Sequence, residues 1–280
     1  MLLKLQVYQA FNKKILTQIN DQLITILIPT NFQQKIICGD WIAVEQKQEQ
    51  FFLKQLLERK NYLIRPKVAN IDLILIIYPL NGSDNFDDLL WWILTYESIN
   101  FDVKVVFSKS DLLSEKDRIN KIKTISNLIS DLKVEAFDYH NPNDWSNLKA
   151  IIENHLIVLS GYSGAGKSTF LNWLNPHWQI LTQALNSKNL GKHTTTTAKI
   201  YQIDKIKIID APGFNNLNLK LVKQDIASGW HLFHDLKCQC KFNDCLHNNP
   251  NVDCAIINAV AAKKINQTIY QIYLNFLNKN

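Results

Sequence analysis

The stretch "LIVLSGYSGAGKST" runs from apolar residues into Gly161-x4-Gly166-Lys167-Ser168 and on into "FLNWL". Glycines allow a turn tight enough for successive backbone N–H groups to face phosphate oxygens. A helix starting directly after the turn adds the positive end of its dipole. In this pattern Lys167 reaches the β- and γ-phosphates of a nucleotide and Ser168 binds Mg2+. Tyr162, Ser163, Gly164, Ala165 and Thr169 complete the loop. A plain Gly-rich turn between strand and helix is the bland reading. It does not account for the strand, the spacing, the lysine and the hydroxyl together.

Further along comes "IIDAPGF". Asp210 ends an apolar run, where P-loop NTPases hold their metal-binding Asp. Gly213 follows in a Pro-Gly turn and can sense a γ-phosphate through its N–H. Between loop and turn lies "NLGKHTTTTAKIY". One hydroxyl here would complete the Mg2+ shell. Thr196 is favoured by counting back from the strand near Lys199, while the other threonines read as solvated loop. His193 beside them is suited either to positioning an attacking water or to packing and touching phosphate. Phe214 stands where Ras-like enzymes carry a water-orienting Gln, and no Arg lies near these segments. Intrinsic hydrolysis is therefore expected to be slow until a partner orders the first switch.

Earlier in the chain, "VVFSKSD" runs an apolar strand into Ser108-Lys109-Ser110-Asp111. A carboxylate placed there accepts two hydrogen bonds from N1 and N2 of guanine, a pair adenine cannot donate. Lys109 would lie along the base plane. Ser108 stands where such loops usually have Asn. Taken alone, "SKSD" reads as a helix start rather than a base reader; with the phosphate loop it reads as a base reader placed before that loop.

Of five cysteines, Cys38 is isolated and Cys238, Cys240, Cys245 and Cys254 cluster. Without a secretion signal, clustering argues for metal over disulfides. Cys240, Cys245, His247 and Cys254 offer three thiolates and an imidazole, a set suited to tetrahedral Zn2+. Cys238 is a rival for Cys240. Cys38 reads as a small buried residue.

These residues need a scaffold, and the pattern around them supplies one. The chain has 280 residues, 46% hydrophobic and 20% charged, ordinary for globular protein. Net charge is +6 with pI near 8.9, weak evidence for a nucleic-acid partner. Arginine occurs only at Arg59, Arg65 and Arg118. No cleavable leader or membrane span is expected, so a cytoplasmic protein is. Residues 1–65 read as short strands of a small barrel, OB-type or SH3-like. From 66 to 218 strands alternate with helices: strands at 72–78, 103–107, 134–138 and 156–160, helices near 85–98, 114–131 and 144–153. That implies a mainly parallel sheet covered by helices. From 219 to 280 the chain reads as helical around the cysteines.

A guanine loop ahead of a phosphate loop and two switches is the order of circularly permuted GTPases. The chain resembles the RsgA (YjeQ) family of such GTPases. "RKNYLIRPKVANID" at 59–72, "GKHTTTT" at 191–197, "DAPGF" at 210–214 and "CKFNDCLHNNPNVDCAI" at 240–256 also carry the resemblance. Departures are Ser108 for Asn, Lys192 for a frequent Arg, and "FDYHN" where a guanine-supporting loop is expected. The resemblance implies an N-terminal OB-fold, a circularly permuted α/β P-loop GTPase domain, and a mainly helical zinc-binding domain. It favours Cys240 over Cys238 as a ligand to one zinc per chain. It further implies GTP hydrolysis with Mg2+, stimulated by the 30S ribosomal subunit, with the outer domains gripping 16S rRNA. We expect a monomer with no membrane partner. Two other readings stay open: an ATPase or kinase unrelated to ribosomes, and an RNA-binding module whose GTPase site has decayed.

Overall fold

The computed structural model describes residues 2–20, 22–63, 66–82, 86–130, 132, 134–174, 198–210 and 221–279. By its contacts the chain divides into two units. One comprises Met1–Leu73, Lys149–Ser163 and Lys167–Leu217; the other Ile74–Leu148, Gly164–Gly166 and Asn218–Asn280.

The first unit begins with a barrel-like sheet. β1 (Leu2–Ala10), β2 (Lys14–Ile19), β3 (Gln22–Leu27), β4 (Trp41–Lys47) and β5 (Gln50–Leu56) pair antiparallel: β1 with β2 and β4, β2 with β3, β4 with β5. A register shift between Val7 and Gln9 lets β1 serve β4 with its first half and β2 with its second. The inward positions Val7, Ile15, Ile26, Ile36, Ile42, Val44 and Leu53 form the barrel core. Along β2 to β5 the buried positions are flanked by partly or fully exposed ones, as a half-buried strand requires. Cys38 is buried, its thiol against the Tyr8 carbonyl.

The sequence pattern suggests one strand over "KIICGDWIAVE", but β4 starts only at Trp41. Gly39 is the reason. It has φ +88°, and a Cβ there would sit 2.0 Å from the Ala69 carbonyl oxygen. Asp40, fully buried, then takes the Ile37 N–H and the guanidinium of Arg59 (2.7 and 2.9 Å).

The segment 59–72 clasps this barrel to the next strands. β6 (Tyr62–Leu63) and β7 (Val68–Ala69) form a short hairpin. The Asn61 amide takes both backbone groups of Ile71, and Asn70 bonds Lys60 N–H and the Gly39 carbonyl. The Asp72 carboxylate accepts the Leu156 N–H of β11 (Leu156–Ser160). β11 pairs parallel with β13 (Ile206–Asp210), β13 antiparallel with β12 (Lys199–Ile203), and β12 meets β1 at Gln9↔Lys199. Side chains reinforce that meeting. Lys207 bonds Gln6 (2.9 Å) and lies over Tyr8 and Trp41, and the Tyr8 hydroxyl donates to Gln202.

The second unit holds β8 (Leu73–Pro79), β9 (Val103–Ser108) and β10 (Glu135–Asp138), parallel, with β9 central. Every residue of β8 up to Tyr78 is buried, as expected of a parallel strand covered on both faces. Helices α1 (Asp87–Glu97) and α2 (Glu115–Ser130) and the start of α3 (Pro142–Ile152) connect them. After 221 follow α5 (Lys223–Gly229), α6 (His231–His234), α7 (Ala255–Ala261) and α8 (Gln267–Lys279); α4 is Lys167–Leu174 in the first unit. α1 and α8 pack through Trp91 and Phe276, ring centroids 4.3 Å apart. Among the described residues no helix is long and apolar enough to cross a membrane.

Candidate nucleotide and metal sites

β11 delivers the Gly-rich turn at its C-terminal end. Gly161 is buried and α4 opens at Lys167, so Ser168 and Thr169 lie in the first helical turn, where N–H groups lack helical partners. Phe170 and Leu171 anchor α4 by burial. The Lys167 ammonium donates to the carbonyls of Gly161 (2.5 Å) and Tyr162 (2.7 Å). Burial pulls its pKa down to about 8. Tyr162, Ser163 and Gly164 at the tip are exposed.

In the second unit the tip Gly164–Gly166 meets the end of β9. Ser108, 1% exposed, donates its hydroxyl to the Ala165 carbonyl (2.5 Å). Gly166 has φ +96°, and a Cβ there would come within 3.3 Å of Ser108 Cβ. Ser108 thus fastens the turn after β9 to Gly164–Gly166 through its short side chain. Lys109 adopts a left-handed conformation (φ 57°) and starts the tight turn Ser110–Leu112. This turn presents Asp111, whose side chain is 57% exposed, while Ser110 is buried.

The segment "FDYHN" proves to be part of this arrangement. Asp138 is 2% exposed, and its Oδ1 accepts the Ser110 hydroxyl (2.9 Å) and the His140 N–H (3.1 Å). Arg118 of α2 stands 3.8 Å from Oδ2, and Asp144 of α3 takes the Asp138 N–H. His140 Nε2 lies 3.5 Å from Asp111 Oδ1. Sequence reasoning passed over Asp138 and His140; the one available signal was an acidic residue ending an apolar run.

Asp210 closes β13 opposite Lys199, but its side chain lies outside the described atoms. His193, Thr196 and Gly213 lie outside the described residues.

The cysteine segment brings four donors together. Sγ of Cys240, Cys245 and Cys254 and a ring nitrogen of His247 all lie within 4.8 Å of one another. Cys240 Sγ is 3.8 Å from Cys254 Sγ and 3.5 Å from His247 Nδ1; Cys254 Sγ is 3.4 Å from that nitrogen. Tetrahedral zinc with bonds of about 2.3 Å to S and about 2.0 Å to N needs edges of about 3.5–3.8 Å. The cluster fits a metal ion of that size. Cys238 is exposed, faces the Asp235 carbonyl and stands outside the group.

The surroundings hold the donors in place. Trp230, Phe233 and Tyr273 form a buried aromatic cluster against His247. Tyr270 and Tyr273 donate to the carbonyls of His247 and Leu246. Burial holds the His247 imidazole below its ordinary pKa, hence neutral and able to ligate. Burial also pushes the Cys254 thiol up to about 12, although the N–H groups of Ile256 and Ile257 at the start of α7 favour its thiolate. A cation would reverse that balance by displacing the proton.

Comparison with known proteins gives a consistent pattern. The profile of the RsgA GTPase family matches residues 56–220. The small ribosomal subunit biogenesis GTPase RsgA of Mycoplasmoides gallisepticum is 35% identical over 264 residues, 93% of this chain and 93% of that protein. Its namesake in Clostridium botulinum is 32% identical over 250 residues, 87% and 84% of the two chains. Among solved structures, YloQ, described as a circularly permuted GTPase, has a TM-score of 0.79 at 19% identity, covering 100% of this chain and 95% of that one. YjeQ from Thermotoga maritima has a TM-score of 0.79 at 23% identity, covering 100% and 98%.

Proposed function

The chain belongs to the RsgA GTPase family, and from that premise we propose that it acts in maturation of the small ribosomal subunit, the role its relatives' names state. It binds the 30S subunit and 16S rRNA and hydrolyses GTP to GDP and phosphate. The observation that supports this most is the Ser108 hydroxyl on the Ala165 carbonyl, which joins a guanine loop to a phosphate loop 57 residues later in the chain. The permuted order of motifs then serves one nucleotide.

In this reading Asp111 accepts from N1 and N2 of guanine and Lys109 lines the base. The N–H groups of Gly161 to Ser168, with Tyr162, Ser163, Gly164, Ala165 and Gly166, face the phosphates. Thr169 extends that first helical turn. Lys167 swings from the carbonyls of Gly161 and Tyr162 to the β- and γ-phosphates, where its charge meets the charge developing in the transition state. Ser168 and Thr196 would hold Mg2+, with Asp210 behind them; the ion neutralises phosphate charge. Gly213 senses the γ-phosphate and His193 positions water. Cys240, Cys245, His247 and Cys254 bind one zinc. We assign 1–65 to an OB-type RNA-binding domain, 66–218 to the GTPase domain and 219–280 to the zinc domain. The protein works as a cytoplasmic monomer.

The test is GTP turnover by the whole chain with and without purified 30S subunits, with ATP as control. Slow turnover that rises on adding subunits, for GTP alone, is expected. An equal rate with and without subunits, or a preference for ATP, would overturn the reading.

A further inference from the structure

The Asp111 carboxylate has a neighbour that no part of the guanine-reading motif calls for. β9 and β10 run parallel with Phe107 opposite Asp138, so the turns that leave them lie side by side. Asp138 ties the turns together. Its Oδ1 holds Ser110 Oγ from one and the His140 N–H from the other, and its own carbonyl accepts the Asn141 N–H (2.8 Å). With its backbone held, His140 carries its ring to Asp111, Nε2 to Oδ1 3.5 Å, and is 31% exposed. The Tyr139 ring lies against it, centroids 4.3 Å apart.

We propose that His140 is a positioning residue for guanine recognition: its neutral ring orients the Asp111 carboxylate, and its protonated ring competes with guanine for it. The inference rests on the proposed reading of Asp111 as the base acceptor. A carboxylate oxygen has two lone-pair directions. A neutral imidazole N–H on one leaves the other for guanine. An imidazolium draws the carboxylate into an ion pair, which guanine N–H groups must weaken in order to bind. Imidazole gains its proton between about pH 8 and pH 5, so acidification lowers guanine affinity. The other charged groups around the turn are Asp138 beneath it, Arg118 of α2 on Asp138, Asp144 of α3 on the Asp138 N–H, and Lys109 on the opposite turn. Among side-chain types, imidazole is the one that changes charge in this interval while carboxylate, guanidinium and ammonium groups do not, so the His140 ring is the group the experiment isolates.

The experiment measures GDP binding by calorimetry to the whole chain at pH 7.5 and pH 5.5, for the wild type, His140→Gln and His140→Ala. Nucleotide phosphates titrate alike in all three, so differences between proteins isolate the ring. The wild type is expected to lose roughly fivefold more affinity on acidification than His140→Gln, the scale of one partly exposed ion pair. His140→Gln keeps an N–H donor and should retain the wild-type preference for GDP over inosine diphosphate at pH 7.5, whereas His140→Ala should narrow it. Pyrophosphate affinity should be unchanged in both variants; a merely structural role would move it. Equal acid losses in wild type and His140→Gln would overturn the inference. If the wild type shows no preference for guanine at any pH, the reading of Asp111 fails instead.

Discussion

In the proposed function two side chains carry the chemistry of the nucleotide site. Lys167→Ala should lower GTP turnover by at least about 10^3-fold, because it removes the cation facing the transferring phosphoryl group; single-turnover assays with contaminating GTPases excluded decide it. The wild-type lysine also predicts a pH effect. Its pKa is lowered to about 8, while a bound phosphate needs the ammonium. Below that value the charge is already present in the free protein. Above it, binding must draw a proton from water, so GTP affinity falls by up to about tenfold per pH unit. Nucleotide titrations between pH 7 and pH 9 should show the fall, and Lys167→Arg should flatten it. Asp111→Asn should cost about a hundredfold in GTP affinity, two charge-assisted hydrogen bonds, and favour xanthosine triphosphate. Competition between the two nucleotides reads this directly, and an unchanged preference would mean Asp111 does not meet the base.

At the scale of elements, the cysteine loop and the 59–72 segment make opposite demands on sequence reading. Cys245→Ser should lose bound metal and unfold the 219–280 segment, because metal binding free energy is folding free energy, whereas Cys238→Ser should keep one zinc per chain; metal analysis of both variants settles it. The clustering of Cys240, Cys245, His247 and Cys254 was legible because they lie within one short loop, where spacing alone brings them near each other. The Gly-rich turn between β11 and α4 was legible for the same reason. Strand and helix positions from 72 to 160 were legible to within about two residues from periodicity. What periodicity cannot convey is which distant groups meet. Ser108 on Ala165, Ser110 on Asp138 and His140 beside Asp111 each join separate turns. The break before Trp41 arises from a close approach of Gly39 to Ala69, which no local pattern encodes. The role of "RKNYLIRPKVANID" was likewise hidden: Arg59 closes on a buried Asp40, and Asn61 and Asn70 stitch the backbone. Arg59→Met should destabilise the barrel by about 2–3 kcal/mol, since it strands a buried carboxylate. Urea unfolding followed through barrel tryptophan fluorescence measures the loss.

At the scale of the molecule, nucleotide state and subunit binding are linked in the proposed cycle, and His193 is where the link can be cut. His193→Ala should leave GTP affinity nearly intact and lower subunit-stimulated turnover at least tenfold, about 1.4 kcal/mol. Co-sedimentation with 30S subunits in a non-hydrolysable GTP analogue should persist, and the mutant given GTP should stay on the subunit. Normal turnover would leave His193 a structural residue. The route by which a grip on the barrel could reach the switches follows from the β1–β12 pairing. Gln9 meets Lys199 in the same sheet, while Lys207 is wedged against Gln6, Tyr8 and Trp41. The barrel and β12 meet directly through this pairing. A tug or twist applied at the barrel is therefore borne by hydrogen bonds and packed rings rather than absorbed by uncoiling chain. It arrives at Lys199, two residues after the last of the four threonines in the sequence. The barrel is in this sense a handle joined by sheet pairing to the strand that follows the proposed first switch in sequence.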